Sequence, residues 1–235
     1  MMKGRDSSRR RERDGAAERI LKAAIALFTE RGYHGTPMRS IARAVHLEAA
    51  SLYHHFSSKQ KILFEIFERT MNDVLAGMQQ ALDSSESIED RLRAVVRFHV
   101  FFHIERQREA FLSHSELRSL TAVNRERILA LRDRYEQQLR ELLAAGVQAG
   151  LFEIRDVRLA TIAVLMMLSG VSEWFAGTGR LTADAVADAY FDMVLALLRR
   201  SGEPESGLGY PGHGAPPDSG SRRGPPHEGN LQRQN

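Results

Sequence analysis

The 235-residue sequence carries a net charge of only +3 and contains no cysteine. Its 43% of hydrophobic residues suffices for a core, so wholesale disorder is excluded. The lack of cysteine excludes a disulfide scaffold, cysteine-ligated zinc, iron–sulfur clusters and thiol catalysis. The charge is unevenly placed, because residues 1–62 carry a net +7 and residues 63–235 a net −4. A basic start before a mildly acidic body predicts a nucleic-acid partner at that end.

The two ends of the chain differ in composition from its middle. Residues 1–15 are charged and have no apolar residue after Met2, which predicts a flexible basic arm that either contacts DNA or only aids solubility. Residues 201–235 hold eight glycines and six of the seven prolines, which predicts a disordered tail. The start shows no signal-peptide hydrophobic region, and no apolar run reaches the ~18–20 residues of a membrane span. We therefore expect a cytoplasmic protein without a membrane partner.

The middle of the chain predicts an all-α fold. Residues 38–200 contain no proline, and their apolar residues recur every three to four positions, as on one face of a helix. No stretch shows the alternating pattern of a strand. Thr36 before Pro37 is typical of a helix N-cap, and so are Ser58 and Thr182. Nine helices are predicted, over residues 16–31, 37–45, 48–56, 59–82, 88–105, 107–119, 122–149, 156–177 and 183–199.

The second and third predicted helices form a candidate DNA-binding motif. They are short and joined by a tight turn, which fits a helix-turn-helix whose second helix enters the major groove. With Leu52 and Phe56 in the core, the outward face of that helix consists of Ala49, Ala50, Ser51, Tyr53 and His54. This face is small at its start, which permits close approach to bases, and further along it carries groups that can donate to phosphates.

Basic residues flank this helix. Arg39 and Arg43 lie on the bracing helix, and Arg39 is placed to reach a guanine edge, the commonest base contact of arginine. Lys59 begins the next helix, where free backbone N–H groups also favour a phosphate.

Several motif residues at these positions resemble the DNA-binding domain of the TetR family of bacterial regulators. They are Leu27, Phe28, Arg31, Gly32, Tyr33, Thr36, Ile41, Ala42, Leu52, Tyr53, His54, His55, Phe56, Ser58 and Lys59. The resemblance implies a DNA-binding domain at 16–67 and a helical ligand-binding and dimerisation domain at 68–200. It also implies phosphate contacts by Thr36, Ser51, Tyr53, His54 and Lys59, and base-edge positions for Arg39 and Ala49. The family's usual Ala-Gly-Val-Ser turn is Val45-His46-Leu47-Glu48 here, so a histidine occupies the glycine position.

The second domain contains candidate ligand-binding residues, although ordinary core packing is the favoured interpretation for each of them taken singly. They are Phe98, Phe101, Phe102, Phe111, Leu117, Met166, Met167, Trp174 and Phe175, with Arg106 and Arg118 placed to meet an anionic group. His99 and His103 have the spacing of a two-histidine metal site, with His114 and Glu116 as possible partners, but a metal site usually needs a third and a fourth ligand in known register. We expect structural or cavity-lining histidines, and neither a metal nor a cofactor. The resemblance extends to family members that respond to acyl-coenzyme A thioesters, although a flavonoid, an antibiotic or another planar hydrophobe stays open.

The last two predicted helices are apolar on more than one face, so each needs a partner inside and outside the subunit. This predicts a homodimer with a four-helix interface, which demands a palindromic operator in double-stranded DNA. The predicted interface residues are Ile162, Leu165, Ser169, Val186, Tyr190, Val194 and Leu198.

The sequence thus predicts a repressor released from its operator by a small hydrophobic or acyl-coenzyme A effector. An activator of the same fold, a helical scaffold and an enzyme stay as alternatives. No Ser-His-Asp spacing, glycine-rich phosphate loop or HExxH motif occurs, so we expect no enzymatic activity.

Overall fold

The first helix is longer than its apolar stripe. The computed structural model describes residues 3–199, with side chains from residue 15 onward, and helix α1 spans Lys3–Arg31. Residues 3–15, predicted as a flexible basic arm, thus continue the backbone of α1, because the five arginines among them are good helix formers and no proline interrupts them. The flexibility of this arm stays a prediction. The predicted disordered tail lies outside the described residues.

Two short helices pack on α1 around fully buried Phe28, Ile41 and Leu52. They are α2, Met38–Ala44, and α3, Ala49–His55. Between them His46 adopts a left-handed conformation with φ 57°, as expected for a residue at the glycine position. The amide of the following Leu47 donates to the carbonyl of Ala42 over 2.9 Å and closes α2. This turn confirms the predicted helix-turn-helix.

The rest of the described chain is helical as well. It comprises α4 (Lys59–Leu82), α5 (Ile88–Glu105), α6 (Gln107–Ser115), a 3-10 turn (Leu117–Ser119), α7 (Ala122–Gln148), α8 (Val157–Ser169), α9 (Val171–Trp174) and α10 (Ala183–Leu198). The predicted N-caps Ser58 and Thr182 are confirmed, since their side chains accept from the amides of Lys61 and Ala185. No strand occurs between residues 3 and 199. The all-α prediction is thus confirmed for the described chain.

Two of the nine predicted helices are split. The predicted helix 107–119 becomes α6 and the 3-10 turn. At the break, the carboxylate of Glu116 accepts from the amide of Tyr33 and from the hydroxyl of Ser119. The predicted helix 156–177 divides into α8 and α9, where the hydroxyl of Ser172 donates to the carbonyl of Ser169 over 2.9 Å. Such a side-chain bond competes with the helical ladder for that carbonyl.

The core of the larger part lies where α5 packs between α4, α7 and α10. It is built from buried Phe67, Met78, Leu92, Leu139 and Phe191. The predicted domain boundary at residue 67 falls inside α4. This uninterrupted helix begins beside the helix-turn-helix and ends among the helices of the larger part, so the two parts are mechanically joined.

One described stretch, Val157–Trp174, is long and apolar enough by composition to cross a membrane. It is not one continuous helix, because α8 ends at Ser169. The 13 residues of α8 extend roughly 20 Å, well short of a hydrocarbon layer of about 30 Å.

Candidate nucleic-acid interface and ligand cavity

The outward face of α3 is available to a partner. Ala49, Ala50 and His54 are exposed, Tyr53 is 52% exposed, and Ser51 is half-buried. The neighbouring helix α2 exposes both of its arginines, Arg39 and Arg43. Within the described side chains, neither these two arginines nor Tyr53 and His54 form a hydrogen bond or an ion pair. Their hydrogen-bonding capacity is therefore free for DNA.

Two of the predicted phosphate contacts are already engaged inside the protein. Thr36 is fully buried, and its hydroxyl lies 2.9 Å from the carbonyl oxygen of Gly32. It neither caps α2, whose N-cap is Pro37, nor reaches the surface, so both predictions for its side chain were wrong. The ammonium of Lys59 donates to the carbonyl of Tyr33 over 2.7 Å, and burial lowers its pKa. The ammonium of Lys59 has further N–H donors, so its contact with a DNA phosphate stays a prediction.

A hydrogen-bonded cluster, here called the Glu116–Gln60 bridge, connects the DNA-binding helices to the rest of the molecule. One carboxylate oxygen of Glu116 accepts from the amide of Tyr33 over 3.0 Å, and the other accepts from the hydroxyl of Ser119 over 2.6 Å. The amide nitrogen of Gln60 lies 2.9 Å from the Tyr33 hydroxyl and 2.5 Å from the Ser119 carbonyl. The bridge thereby joins the α1–α2 turn, the start of α4 and the connection between α6 and α7.

A cavity of about 230 Å³ lies among α4 to α8. Its lining consists of Thr70, Met71, Val74, His99, Phe102, His103, Ala110, Ser113, His114, Arg132, Tyr135, Glu136, Leu165 and Ser169. Its members His99, His103, His114, Arg132, Tyr135 and Ser169 are here called the polar side. Of the predicted ligand residues, only Phe102 lines the cavity.

The other predicted ligand residues lie elsewhere. Met166 and Trp174 are 72% and 50% exposed, and Phe111 is exposed too. Phe98 packs over Gly77, where a Cβ atom would lie 2.1 Å from its ring. The guanidinium of Arg106 forms an ion pair with the carboxylate of Asp73 on α4.

Three further predicted ligand residues are also absent from the cavity lining. Phe101 lies beneath the guanidinium of Arg97, and Met167 and Phe175 are half-buried against the core. None of these aromatic and methionine residues lines this cavity, since helical periodicity does not tell which inward face meets a void, and their role in ligand binding stays a prediction.

His99 sits at the centre of the polar side. Its Nδ1 lies 2.5 Å from the hydroxyl of Tyr135, and its Nε2 lies 3.1 Å from the hydroxyl of Ser169. It is therefore both a structural and a cavity-lining histidine. Complete burial lowers its pKa well below the usual range and, to a lesser extent, so does the neighbouring His103. The two rings stack with centroids 4.4 Å apart, and burial lowers the pKa of His103 to about 4, so both are neutral at pH 7.

Arg132 and His114 complete the polar side. One guanidinium nitrogen of Arg132 donates to the carbonyl of Ser113 over 2.6 Å, and burial lowers the arginine's pKa. His114 is exposed at the edge, with Nδ1 placed 2.9 Å from the carbonyl of Ala110. Sequence reasoning missed Arg132, because a single arginine on a helix rich in charge carries no local signal.

The outer faces of α8 and α10 expose large apolar side chains. They are Leu159, Met166, Met193 and Leu197. Three predicted interface residues, Val186, Val194 and Leu198, are instead buried inside the subunit, so their assignment was wrong. Ile162, Leu165 and Tyr190 are half-buried, and Ser169 is bonded to the cavity histidine. On α10 the three buried residues face the core, whereas the exposed apolar residues Met193 and Leu197 lie on another face of the helix.

Comparison with known proteins identifies the fold and the motif together. Residues 20–66 match the model of bacterial regulatory proteins of the tetR family, and residues 85–198 match that of the tetracyclin repressor-like C-terminal domain. The HTH-type transcriptional repressor KstR2 of Rhodococcus jostii is 30% identical over 186 residues, which are 78% of this chain and 91% of that protein. The fatty acid metabolism regulator protein of Bacillus subtilis is 23% identical over 179 residues, or 75% of this chain and 92% of that protein.

Similar solved structures indicate the same family. The TetR family regulator PfmR of Thermus thermophilus shares 39% identity with a TM-score of 0.70, covering 75% of this chain and 96% of its own. AibR in complex with isovaleryl coenzyme A and operator DNA shares 30% identity with a TM-score of 0.70, and the match covers 76% of this chain and 97% of AibR. These relatives are regulators and not enzymes. The chain belongs to the TetR family of ligand-responsive, DNA-binding transcriptional regulators.

Proposed function

We propose that this regulator is a cytoplasmic homodimeric repressor, which binds a palindromic operator through α3 and is released by an acyl-coenzyme A thioester. The observation that carries the proposal is the Glu116–Gln60 bridge. It links the cavity-lining helix α6 directly to the turn that begins the DNA-binding helices. The relatives favour this effector class, since AibR binds isovaleryl coenzyme A together with operator DNA and another relative is named a fatty acid metabolism regulator.

Operator recognition follows from the unpaired polar groups on α2 and α3. Ala49 and Ala50 at the start of α3 keep the helix surface low, so the helix can approach base edges. Tyr53 and His54 then donate to phosphates, which fixes the helix in register. Arg39 supplies the charged donor suited to a guanine. Two copies held by a two-fold axis read two half-sites about one helical turn apart.

Effector release follows from the position of α6. Ala110, Ser113 and His114 line the cavity from this helix, and Glu116 follows directly after its last residue. A ligand that needs more room than the cavity offers favours a state in which α6 is displaced. The Glu116 carboxylate then leaves the Tyr33 amide, and the DNA-binding helices lose their support. The ligand shifts the equilibrium only by the difference in its affinities for the two states.

The test begins with selection of bound sequences from random DNA duplexes by the full-length protein. We expect an inverted repeat, and enrichment without one would reject the palindromic operator. The selected duplex is then titrated in a gel-shift assay with isovaleryl coenzyme A and hexanoyl coenzyme A, and free coenzyme A serves as the control. Adipoyl coenzyme A is titrated in the same way, and operator binding that none of the three thioesters changes would reject the effector class. Transcription that rises when protein is added would reject repression in favour of activation.

A further inference from the structure

The polar side of the cavity contains more hydrogen-bond donors than the protein uses. We propose that the cavity selects a short acyl group that ends in a carboxylate, held by Arg132 and by the hydroxyl groups on either side of His99. This inference rests on the proposed function and names the effector within the thioester class. Three independent features support this proposal: the size of the cavity, a charge in its lining that has no counter-ion, and a hydroxyl hydrogen that has no acceptor.

The size restricts what can enter. At about 230 Å³ the cavity is smaller than the ~300–1,000 Å³ typical of drug-sized ligands. A short acyl group fits, whereas the nucleotide part of coenzyme A must lie outside. Met71, Val74, Phe102 and Leu165 supply the apolar contacts for its methylene groups. The far end of such a group meets the polar side.

The uncompensated charge is that of Arg132. Among the described side chains no carboxylate lies within ion-pair distance of its guanidinium, which bonds only to the carbonyl of Ser113. Glu136 also lines the cavity, but its carboxylate lies 3.7 Å from the guanidinium of Arg140, so its charge is balanced there. A half-buried guanidinium without a counter-ion is costly, and a ligand carboxylate supplies one in bidentate geometry.

The spare hydrogen follows from counting protons around His99. Tyr135, neutral His99 and Ser169 carry one polar hydrogen each, and the two hydrogen bonds between them use two. If Tyr135 donates to Nδ1, then Nε2 donates to Ser169 and the serine hydrogen is free. In the other tautomer the tyrosine hydrogen is free. Either way, one hydroxyl hydrogen on this wall has no acceptor among the described residues.

His103 points to the same conclusion. Its Nδ1 is buried and has no hydrogen-bond partner in the described part of the chain. Buried polar atoms are normally paired, so an unpaired one in a cavity wall indicates that the partner is a ligand or ordered water. Arg132, one hydroxyl and the imidazole of His103 thus each offer a polar group in the lining of one cavity, and a ligand rich in acceptor oxygens can pair with them. A carboxylate satisfies them, whereas a plain alkyl end leaves the spare hydroxyl hydrogen and Nδ1 of His103 unpaired and Arg132 without a counter-ion.

The experiment compares ligands of equal chain length by isothermal titration calorimetry of the full-length protein. Adipoyl coenzyme A and hexanoyl coenzyme A differ only in the terminal carboxylate, and free adipate lacks the thioester. We expect adipoyl coenzyme A to bind at least about tenfold more tightly than hexanoyl coenzyme A, since sites built for a polar group discriminate against its absence. Arg132→Gln should abolish this preference by weakening adipoyl binding while leaving hexanoyl binding unchanged.

Two further variants keep the result interpretable. Arg134→Gln removes an exposed arginine from the same helix and should retain the preference. Should Arg132→Gln unfold, Tyr135→Phe deletes one hydroxyl of the wall and is expected to reduce the preference severalfold.

The outcomes separate this inference from the proposed function. Equal or tighter binding of hexanoyl coenzyme A overturns the inference and leaves the thioester effector intact. Binding of adipate without either thioester supports the carboxylate site and overturns the thioester class. Absence of binding by all three ligands overturns both.

Discussion

At the scale of single residues, the cavity keeps His99 and His103 uncharged at pH 7. Burial and, to a lesser extent, the nearby His114 lower the pKa of His103 to about 4. In the unfolded chain the same imidazole titrates near ~6.5. The unfolded state therefore binds more protons between these two values. The contribution of neutral His103 to the stability of the folded state is complete above the pKa of the unfolded chain and is lost as pH falls toward 4.

His103→Asn should flatten this dependence of stability on pH. Urea unfolding between pH 6.5 and 4 is expected to show a slope of free energy against pH smaller by up to about 1.4 kcal/mol per pH unit, the value for one proton. Ser113→Ala, which alters the same cavity without changing a titratable group, should keep the wild-type slope. An unchanged slope in His103→Asn would mean that this imidazole is protonated equally in both states.

The exposed side chains of the helix-turn-helix should matter for binding and not for folding. Arg39→Gln is expected to weaken operator binding by ~1–3 kcal/mol, as for an arginine that reads a base. Tyr53→Phe should weaken it less, since one phosphate bond is lost. Both variants should unfold within about 0.5 kcal/mol of wild type, because neither side chain has a partner in the described structure. Gel shifts at fixed salt measure the first effect and urea unfolding the second.

Arg180→Gln is the control, since it removes an equal charge from an exposed loop outside the DNA-binding helices. Wild-type operator affinity in both Arg39→Gln and Tyr53→Phe would show that these residues do not contact the operator.

At the scale of secondary-structure elements, local signals and tertiary contacts contribute differently. The caps at Ser58 and Thr182 and the turn at His46 involve residues within a few positions of each other, so the sequence alone predicts them. The bond from Lys59 to Tyr33 spans 26 residues, and that from Tyr33 to Glu116 spans 83. No periodic pattern encodes such pairs. The same limitation explains why the sequence predicted ligand-binding aromatics but missed Arg132.

Glu116→Gln should weaken the coupling between cavity and operator. The neutral amide is a poorer acceptor than the carboxylate, so the Glu116–Gln60 bridge holds the Tyr33 amide less firmly. We expect the ratio of operator affinities without and with isovaleryl coenzyme A to fall roughly fivefold or more, within the usual range of coupling energies. Fluorescence anisotropy of a labelled operator measures both affinities.

Glu109→Gln provides the comparison, since this glutamate lies on α6 and takes no part in the bridge. A Glu116→Gln protein with the full wild-type ratio would exclude the bridge from signal transmission.

At the scale of the whole molecule, the outer faces of α8 and α10 require cover. Leu159 and Met166 are two turns apart on α8, and Met193 and Leu197 are one turn apart on α10, so each pair forms a stripe. The two helices contact each other, which brings the stripes side by side. Apolar patches of this kind mark interaction sites on soluble proteins. We expect a second copy related by a two-fold axis to cover both stripes at once.

Met166→Asp should therefore separate the subunits without unfolding them. Met166 is 72% exposed in the subunit, so the aspartate is solvated in the monomer but desolvated at a two-fold interface. Sedimentation equilibrium is expected to show monomers at concentrations where the wild type is dimeric. Operator affinity should fall by about 10²-fold or more, because two half-sites are then bound independently instead of through one linked pair.

Val123→Asp places the same charge at an apolar position of similar exposure, 67%, on α7 and should stay dimeric. A dimeric Met166→Asp protein would move the interface away from the stripes of α8 and α10. A monomeric one with unchanged operator affinity would show that a single helix-turn-helix suffices. Dimerisation and recognition are linked only if both properties are lost together, because the two-fold axis that covers the apolar stripes also sets the distance between the two copies of α3.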